Sequence, residues 1–305
     1  MQRKKRRNVI TAVVCTAILI PLFFLYGPFE HFRLLWINTA MYSSRFKFLA
    51  TALFPSSYVQ SVLDRNAGAY QGKTENAGVL FDYSEDVLFA EVKGNTYRGY
   101  LIRIADPRRI NFIEAGNRNG KLLEDMVRET KSSGGINAGG YADNNSRGGP
   151  WGITIIGGET VSGCTVHEKH ILGGMNSGRI LVVGTFTEKE IAEQDFIWAV
   201  EFGPLLVIDS KKTPLAEYSG GLSPRTAIGQ TREGHILLLV LDGRRVSSIG
   251  ATFLDMQTVL YANGAVNAIG LDGGSSSSMV YSGKLVNIPS GGERERYLPN
   301  AILFY

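Results

Sequence analysis

The sequence predicts an α+β fold, in which mixed and mostly antiparallel β-sheets carry a few packed helices, preceded by a transmembrane helix and a helical stem. Glycine supplies 36 of the 305 residues, well above its usual share, which indicates many tight turns. Short apolar segments separated by turns recur from residue 87 onwards, as expected for a β-rich body. Hydrophobic residues make up 44% and charged residues 20%, so the chain can bury a substantial core.

The amino terminus combines a basic cluster with an apolar run. Five consecutive basic residues, 3–7, precede an uncharged run of 18 residues, 9–26, which is long enough to span a bilayer when its flanks are included. The positive charges are expected to stay in the cytoplasm, which places the protein in the cell membrane as a single-pass chain with its main domain outside. A cleaved signal peptide is the competing interpretation, but no small-x-small site directly follows the run. Because the cluster outweighs the net charge of +4, no nucleic-acid partner is expected.

We therefore expect four parts: a basic cytoplasmic tail (1–8), a transmembrane anchor (9–26), a helical stem and linker (27–85), and a main domain (86–305). Apolar residues recur every three or four positions across 31–62, which predicts a helix that Pro55 interrupts. The polar side of this stem would let it lie along a membrane surface. Packing against the main domain is the alternative.

The main domain is predicted to alternate many strands with two helices. The strands are expected at 87–92, 97–104, 110–114, 153–156, 180–184, 196–202, 205–208, 227–230 and 236–241, and the helices at 122–131 and 253–262. The second helix has a capping box, Thr252 with Asp255, and a stop at Asn263 and Gly264. It leads into an apolar strand that ends at Asp272, so a helix-then-strand unit should hold this carboxylate rigidly.

The stretch 268–281, AIGLDGGSSSSMVY, is the strongest candidate for a site. Gly273 and Gly274 allow backbone conformations that a β-carbon would forbid, directly after the strand that delivers Asp272. Ser275 and the three serines after it add donors for an anion or a sugar next to the carboxylate. A polar turn or linker of Gly and Ser is the competing interpretation.

Four other segments contain more glycine and polar residues than a turn or strand needs in order to fold. They are GGINAGGY at 134–141, EFGPLL at 201–206, SPRTAIG at 223–229 and LDGRR at 241–245. Each has a structural interpretation, because Asp-Gly turns mostly close hairpins and an arginine beside a strand is usually a surface residue. Together they indicate a site that holds a phosphate between arginines and donors, with carboxylates nearby for acid-base or electrostatic work.

These motifs, in this order and together with NAIGLDGGSSSSMVYSGKLVNIPS, resemble the phosphodiester glycosidase family over about 134–305. The resemblance implies hydrolysis of a sugar-1-phosphate diester, with the phosphate left on its acceptor. The membrane-anchored layout is similar to bacterial members linked to exopolysaccharide biosynthesis. The matching positions are Asn137, Gly139, Gly140, Glu201, Gly203, Arg225, Thr226, Asp242, Arg244, Asp272, Gly273, Gly274 and Ser275. Ser275 and Ser278 stand where the family commonly has a third glycine and a threonine.

The residue types suit this chemistry. Arg225 and Arg244 fit bidentate binding of the phosphate, with Asn137, Thr226, Ser275 and the glycines as further binding positions. Asp272, Asp242 and Glu201 are the candidates for steadying the positive charge on the sugar and activating water. Which carboxylate has which role, and whether the route is retaining or inverting, depends on their separation in space.

Other functions compete with this interpretation. A serine hydrolase would use the serines at 275–278 with His167, His170 or His235, but no GxSxG elbow surrounds them. A zinc site at His167, Glu168 and His170 has a shorter spacing than HExxH, which favours a solvated turn.

Cofactors and binding functions are the remaining alternatives. No cofactor is assigned, while a divalent ion held by Asp242, Asp272 and the phosphate stays open. Cys15 lies in the apolar run and Cys164 alone beyond it, so both are interpreted as structural. A non-catalytic, membrane-anchored protein for polysaccharide binding or exopolysaccharide assembly is the alternative from a different class.

Overall fold

The computed structural model describes residues 2–43, 46–66, 72–75, 78–81, 86–142, 149–163, 168–290 and 295–305. The α-helices within these ranges are α1 Gln2–Tyr26, α2 Glu30–Met41, α3 Phe48–Thr51, α4 Ser56–Asn66, α5 Leu123–Thr130, α6 Glu188–Ala192 and α7 Phe253–Ala262. The strands are β1 Val87–Lys93, β2 Arg98–Ile104, β3 Ile110–Glu114, β4 Gly134–Asn137, β5 Thr154–Ile156, β6 Glu159–Ser162, β7 His170–Asn176, β8 Leu181–Phe186, β9 Phe196–Glu201, β10 Leu205–Ile208, β11 Lys211–Lys212, β12 Arg225–Thr231, β13 Ile236–Leu241, β14 Ala265–Leu271, β15 Met279–Tyr281, β16 Lys284–Leu285 and β17 Asn300–Phe304.

The strands form three sheets, and every strand pairing in the described part of the chain is antiparallel. A seven-stranded sheet has the order β1-β2-β13-β12-β14-β10-β11. Two five-stranded sheets have the orders β16-β15-β4-β17-β3 and β6-β5-β9-β7-β8. The predicted mixed α+β class with antiparallel sheets and few helices is confirmed.

The core lies between the three sheets. Its largest cluster of buried side chains draws on all of them, for example Ile228 from β12, Ile302 from β17 and Val200 from β9. Strand β13 shows why the central sheet is covered on both faces: Leu238 and Val240 point into this cluster. Leu237 and Leu239, which alternate with them, pack under α7 in a second cluster.

Helix α7 has its predicted bounds, because the sequence signals at both of its ends form the expected contacts. Thr252 accepts from the backbone N–H of Asp255, and the Asp255 carboxylate accepts from the N–H of Thr252, which forms the predicted capping box. The helix ends before Gly264, whose φ of +85° suits a residue without a β-carbon. Chain reversal at this glycine leads directly into β14, as the sequence predicts.

The amino-terminal segment expected to be helical over 31–62 forms three helices, α2 to α4, with one more break than the interruption predicted at Pro55. Their apolar sides share a separate cluster that includes Ile37, Phe54 and Val59. Helix α3 ends before Pro55 and α4 begins directly after it, because proline is tolerated at the start of a helix and not in its interior. Arg45, expected with Arg33 and Lys47 on the polar side of the stem, lies outside the described residues.

Helix α2 packs against the main domain, as the alternative for the stem predicted. The backbone N–H of Leu222 donates to Thr39 Oγ1 at 3.0 Å. A β-carbon on Gly221, which has φ +60°, would lie 2.3 Å from the Thr39 nitrogen, so only glycine permits this approach.

The membrane anchor predicted at 9–26 lies within α1. Among the described residues, no one helix combines the length and apolarity needed to cross a bilayer. A bent pair, Val13–Tyr26 with Glu30–Met41, meets both requirements together across an angle of 101°. The anchor therefore stays a prediction.

Candidate active site

The strand directions bring distant polar residues to one edge of the seven-stranded sheet. Strand β12 runs antiparallel to both β13 and β14. The start of β12 therefore meets the ends of the other two: Arg225 pairs with Leu241, and Thr226 with Leu271. Arg225 begins its strand, and the carboxylates predicted for catalysis, Asp242 and Asp272, follow the last residues of theirs.

A cavity of about 350 Å³ opens at this edge. Several of the predicted site residues line it, drawn from separate motifs. The full lining is Tyr42, Phe202, Gly203, Ser223, Arg225, Arg244, Phe253, Leu271, Asp272, Gly273, Gly274, Ser275 and Arg296. We call this space the arginine cavity.

Asp272 is the only carboxylate among the described residues that line the arginine cavity. Its backbone N–H donates to the Ala138 carbonyl at 2.9 Å, which ties the end of β14 to the segment after β4. Burial raises the pKa of the Asp272 carboxyl to about 6, against the opposing effects of the Ser276 hydroxyl, the Arg296 charge and the Gly273 N–H. Near neutral pH this group therefore exchanges a proton readily.

Arg225 is a buried cation held by backbone carbonyls. Its Nε donates to Ala251 O at 2.9 Å, and its Nη2 donates to Gly221 O at 2.7 Å and to Gly220 O. Its guanidinium carbon lies 4.3 Å from the centre of the Phe253 ring. Burial lowers the pKa of Arg225 to about 9, which the nearby Tyr42 opposes and Arg244 reinforces. No carboxylate among the described residues forms an ion pair with it.

Arg244 reaches the arginine cavity from the same turn that carries Asp242. It adopts φ +59°, unusual for a residue with a side chain, and its Nη2 donates to Ser223 Oγ at 3.1 Å. A β-carbon on Gly274 would lie 3.3 Å from Arg244 Nη2, so the guanidinium sits against the glycine turn after Asp272. Like Arg225, it has no ion-pair partner within the described ranges.

Asn137 and Thr226, predicted to bind substrate, lie beneath the cavity and do not line it. Asn137 is fully buried; its Oδ1 accepts from Thr226 Oγ1 at 2.8 Å and from the Ser278 N–H at 3.1 Å. Its Nδ2 donates to the Asp272 carbonyl at 2.6 Å. Asn137 thus connects β4, β12 and the turn after β14. Through these hydrogen bonds it holds the backbone of Asp272 in place.

The predicted glycines differ in what they contact. Gly139 is packed against the core: its N–H donates to Asn300 Oδ1 at 2.6 Å, and a β-carbon there would lie 2.8 Å from Val200 Cγ2. A β-carbon on Gly140 would lie 3.6 Å from the Asp272 carboxylate. Gly140 therefore keeps open the space next to the reactive group.

Glu201 lines a second cavity of about 430 Å³, which shares Tyr42, Phe202, Gly203 and Phe253 with the arginine cavity. Its Oε1 lies 3.0 Å from His170 Nδ1, and its Oε2 accepts from the Ile153 N–H at 2.8 Å. Both carboxylate oxygens of Glu201 therefore have protein partners, and the side chain is held rigidly beside the site.

Asp242 does not line either cavity, in contrast to the expectation. Its Oδ1 accepts from Asn287 Nδ2 at 3.1 Å and from the Ile288 N–H at 3.2 Å. Burial raises the pKa of Asp242, and these hydrogen bonds oppose the rise. The LDGRR motif places Arg244, and not its aspartate, at the cavity, because Asp242 turns inward to hold the 287–288 segment.

The residues considered for a divalent ion and for a serine hydrolase are not all brought together at the arginine cavity. Asp242 is bonded to Asn287 and Ile288 and does not line the cavity wall with Asp272, and the divalent ion stays a prediction. In the described parts of the chain, no group of three or more His, Cys, Asp or Glu side chains could hold a metal ion. No described histidine lines the arginine cavity, where Ser275 is. Cys164 and His167 lie outside the described residues.

Arg296 and Tyr42 are among the residues lining the cavity that were not predicted as site residues. Arg296 Nη1 lies 3.3 Å from Ser275 Oγ, and its charge acts on Asp272. The stretch GGERERY, with glycines beside alternating charges, carries the same kind of signal as the other motifs and could have pointed to it. Tyr42 reaches the site from the end of α2, where its ring meets Phe253 edge-on at 5.5 Å between centres. No sequence signal marks Tyr42.

The chain is similar in sequence to several known proteins. The chain is 26% identical over 238 residues to N-acetylglucosamine-1-phosphodiester alpha-N-acetylglucosaminidase of Mus musculus, covering 70% of this chain and 46% of that protein. The Homo sapiens protein of the same name is 25% identical over 226 residues, covering 63% and 41%. The chain thus spans less than half the length of these relatives.

A solved structure shares the fold. The catalytic domain of the zebrafish N-acetylglucosamine-1-phosphodiester alpha-N-acetylglucosaminidase, auto-inhibited by its pro-peptide, superposes with a TM-score of 0.63 at 19% identity. The superposition covers 79% of this chain and 92% of that one. Residues 130–305, which include all the motifs and the whole turn after β14, match the phosphodiester glycosidase family. The chain belongs to the phosphodiester glycosidase family.

Proposed function

We propose that this protein hydrolyses a sugar-1-phosphodiester, releasing the sugar and leaving the phosphate on its acceptor. The observation that carries the proposal is the arginine cavity itself. Arg225 and Arg244 face it without an ion-pair partner among the described residues, and Asp272 lies on the same wall. Arg225 is buried, whereas Arg244 is exposed to solvent. A buried guanidinium is costly unless an anion compensates it, and a phosphodiester has one negative charge and several acceptors.

The phosphate binds between the two arginines. The carbonyls of Gly220, Gly221 and Ala251 hold the Nε and Nη2 sides of Arg225, which leaves its Nη1 without an acceptor among the described residues. This fixed orientation lowers the entropy lost when the guanidinium binds an anion. Arg244, anchored on Ser223, supplies the second set of donors.

Asp272 acts on the sugar. Phosphate is a good leaving group, so cleavage of its bond to the anomeric carbon needs little acid assistance, and the main requirement is to stabilise positive charge on the sugar and to direct water. An ionised Asp272 carboxylate beside the phosphate site meets this requirement, with its pKa near 6 leaving it ionised at neutral pH. We propose that Glu201, held by His170 and Ile153 at the wall of the adjoining cavity, accepts from a sugar hydroxyl with a lone pair that these two partners leave free.

The reaction is proposed to take place outside the cytoplasm, on a glycan or polymer of the cell envelope. The basic residues at 3–7 followed by the apolar run at 9–26 support this placement. The curated relatives are named for N-acetylglucosamine-1-phosphodiesters, which makes such a sugar the first to try.

The test is hydrolysis of the methyl diester of N-acetylglucosamine 1-phosphate by the purified full chain. We expect release of the free sugar together with methyl phosphate, and loss of this activity in Asp272→Asn. Inorganic phosphate and methyl phosphate are expected to inhibit competitively, and Arg244→Gln to weaken the inhibition. If the full chain binds methyl phosphate at the arginine cavity but hydrolyses no sugar-1-phosphodiester across a panel of sugars, the protein is a binding module and the proposal is wrong.

A further inference from the structure

An apolar groove of about 430 Å³ lies beside the arginine cavity, between α2 and the loop that follows β13. Its walls are mostly large hydrophobic side chains from α2, from residues 46–49 and from the loops before β12 and after β13, with few polar atoms. They include Leu35, Trp36, Phe46, Leu222 and Ile249. The groove is distinct from the cavity at Glu201, with which it shares no residue.

Arg244 belongs to the walls of both the groove and the arginine cavity. Its Nη2 donates to Ser223 Oγ at 3.1 Å, a residue of the arginine cavity, so the charged end is held at the boundary between the two spaces. A molecule that occupies both must therefore place an anionic group at Arg244 and a hydrocarbon arm in the groove. This combination describes an amphiphilic phosphate ester.

The rim of the groove keeps apolar side chains in solvent. Ile249, in the loop after β13, is 54% exposed, and Phe46, between α2 and α3, is 48% exposed. Exposed apolar surface next to a defined groove is typical of a site for an apolar ligand or a lipid surface. A water-soluble glycan arm would not bury this surface, because its hydroxyls would lose their hydrogen bonds.

We infer that the acceptor carrying the phosphate is a long-chain alcohol in place of a glycan or polymer, so that the natural substrate is a sugar-1-phosphate ester of this alcohol; the inference rests on the proposed function. The sugar lies at Asp272, the phosphodiester on Arg225 and Arg244, and the first carbons of the alcohol in the groove. Water adds to the anomeric carbon as the bond between that carbon and the phosphate oxygen breaks. The products are the free sugar and the alkyl phosphate monoester, which takes up the second proton of the water.

The first experiment compares two substrates that differ only in the alcohol, the methyl and the geranyl diester of one sugar 1-phosphate. Each methylene transferred from water into an apolar site improves affinity roughly threefold to fourfold, so several carbons in the groove should lower KM by at least about 30-fold. With the full chain in nanodiscs, we expect this ratio of KM values for the wild type. Equal KM values for the two diesters would overturn the inference and leave the proposed function intact.

Matched variants assign the effect to the groove. Ile249→Ser combined with Phe46→Ser changes two exposed side chains and should reduce the ratio of methyl to geranyl KM to about threefold or less. Val246→Ser is the control, because Val246 is fully exposed on the same loop and does not line the groove. An unchanged ratio in the double variant would place the chain preference elsewhere and overturn the inference.

A binding measurement separates this inference from the proposed function. Geranyl phosphate and methyl phosphate are titrated calorimetrically into the full chain, without any turnover. Binding of geranyl phosphate at least about 30-fold tighter than methyl phosphate, lost in the double variant and kept in Val246→Ser, supports the groove even if no diester is hydrolysed. Equal affinities for the two phosphates would overturn it, whatever the activity.

Discussion

Replacing Asp272 with asparagine separates what the carboxylate costs the fold from what it contributes to catalysis. Burial raises the pKa of Asp272 from 3.8 to about 6, a difference of about 2 units, which corresponds to about 3 kcal/mol. Because the folded state holds this proton more tightly than the unfolded chain, folding loses stability as the pH rises from about 4 to about 6, and the loss is complete above that range.

The neutral asparagine side chain resembles the protonated acid, so the variant avoids this loss. We expect Asp272→Asn to have a free energy of unfolding about 1–3 kcal/mol above that of the wild type at pH 8 and equal to it near pH 4. Its turnover should fall by at least about 100-fold, the usual range for loss of an acid-base or electrostatic group.

Urea denaturation followed by tryptophan fluorescence at pH 4, 6 and 8 measures the difference. Asp106→Asn is the control of opposite sign, because the bonds from Arg108 lower the pKa of Asp106 and its charge stabilises the fold above pH 4. Asp106→Asn should therefore lose stability at pH 8. Equal stability of Asp272→Asn and the wild type at pH 8 would refute the assignment of a costly, desolvated carboxylate, and unchanged turnover would remove Asp272 from the mechanism.

Three further outcomes are expected. Arg244→Gln should raise KM for a sugar-1-phosphodiester about 10-fold to 100-fold with the fold intact, because a charge-assisted hydrogen bond contributes about 1.5–3 kcal/mol. An unchanged KM in steady-state kinetics would show that the phosphate binds elsewhere. Asn137→Ala should lower the free energy of unfolding by about 2–4 kcal/mol in urea denaturation, because it leaves the Thr226 hydroxyl and the Ser278 N–H without their acceptor. A loss of activity with unchanged stability would instead show that Asn137 binds the substrate directly. The kcat/KM of the wild type should rise with pH through an apparent pKa near 6, since the ionised carboxylate is the active form, and a flat profile between pH 5 and 8 would contradict this.

Much of the main domain was predictable because its local signals agree with its packing. Strand β13, ILLLVL, and helix α7 keep their predicted bounds: an uninterrupted apolar run suits a central strand covered on both faces, and a capping box starts a helix wherever it packs. Strand β7, HILGGMN, is absent from the predicted strands, because two adjacent glycines weaken the strand pattern of its sequence. Those glycines lie in the core, where Ile269 and Ala199 leave no room for side chains.

The bounds of the amino-terminal helices, in contrast, could not be predicted from local sequence signals. The apolar periodicity of 31–62 and Pro55 predict a helix with one interruption, but not the additional break after α2, since periodicity alone does not reveal where the chain must bend back on itself. The break after α2 lets Ile37 meet Phe54 and Val59 in one cluster, and this contact depends on packing between helices.

The sequence by itself determined the family, the antiparallel α+β fold and the turn at Asp272, because motif order, apolar runs and glycine positions are local properties that the folded chain preserves. Only the tertiary structure decided which polar side chains reach the cavity. Asp242 and Asn137 turn inward to satisfy buried partners, while Tyr42 and Arg296 arrive from distant segments. The orientation of a polar side chain depends on which neighbours compete for its hydrogen bonds, and those neighbours are assigned by packing between segments far apart in the chain.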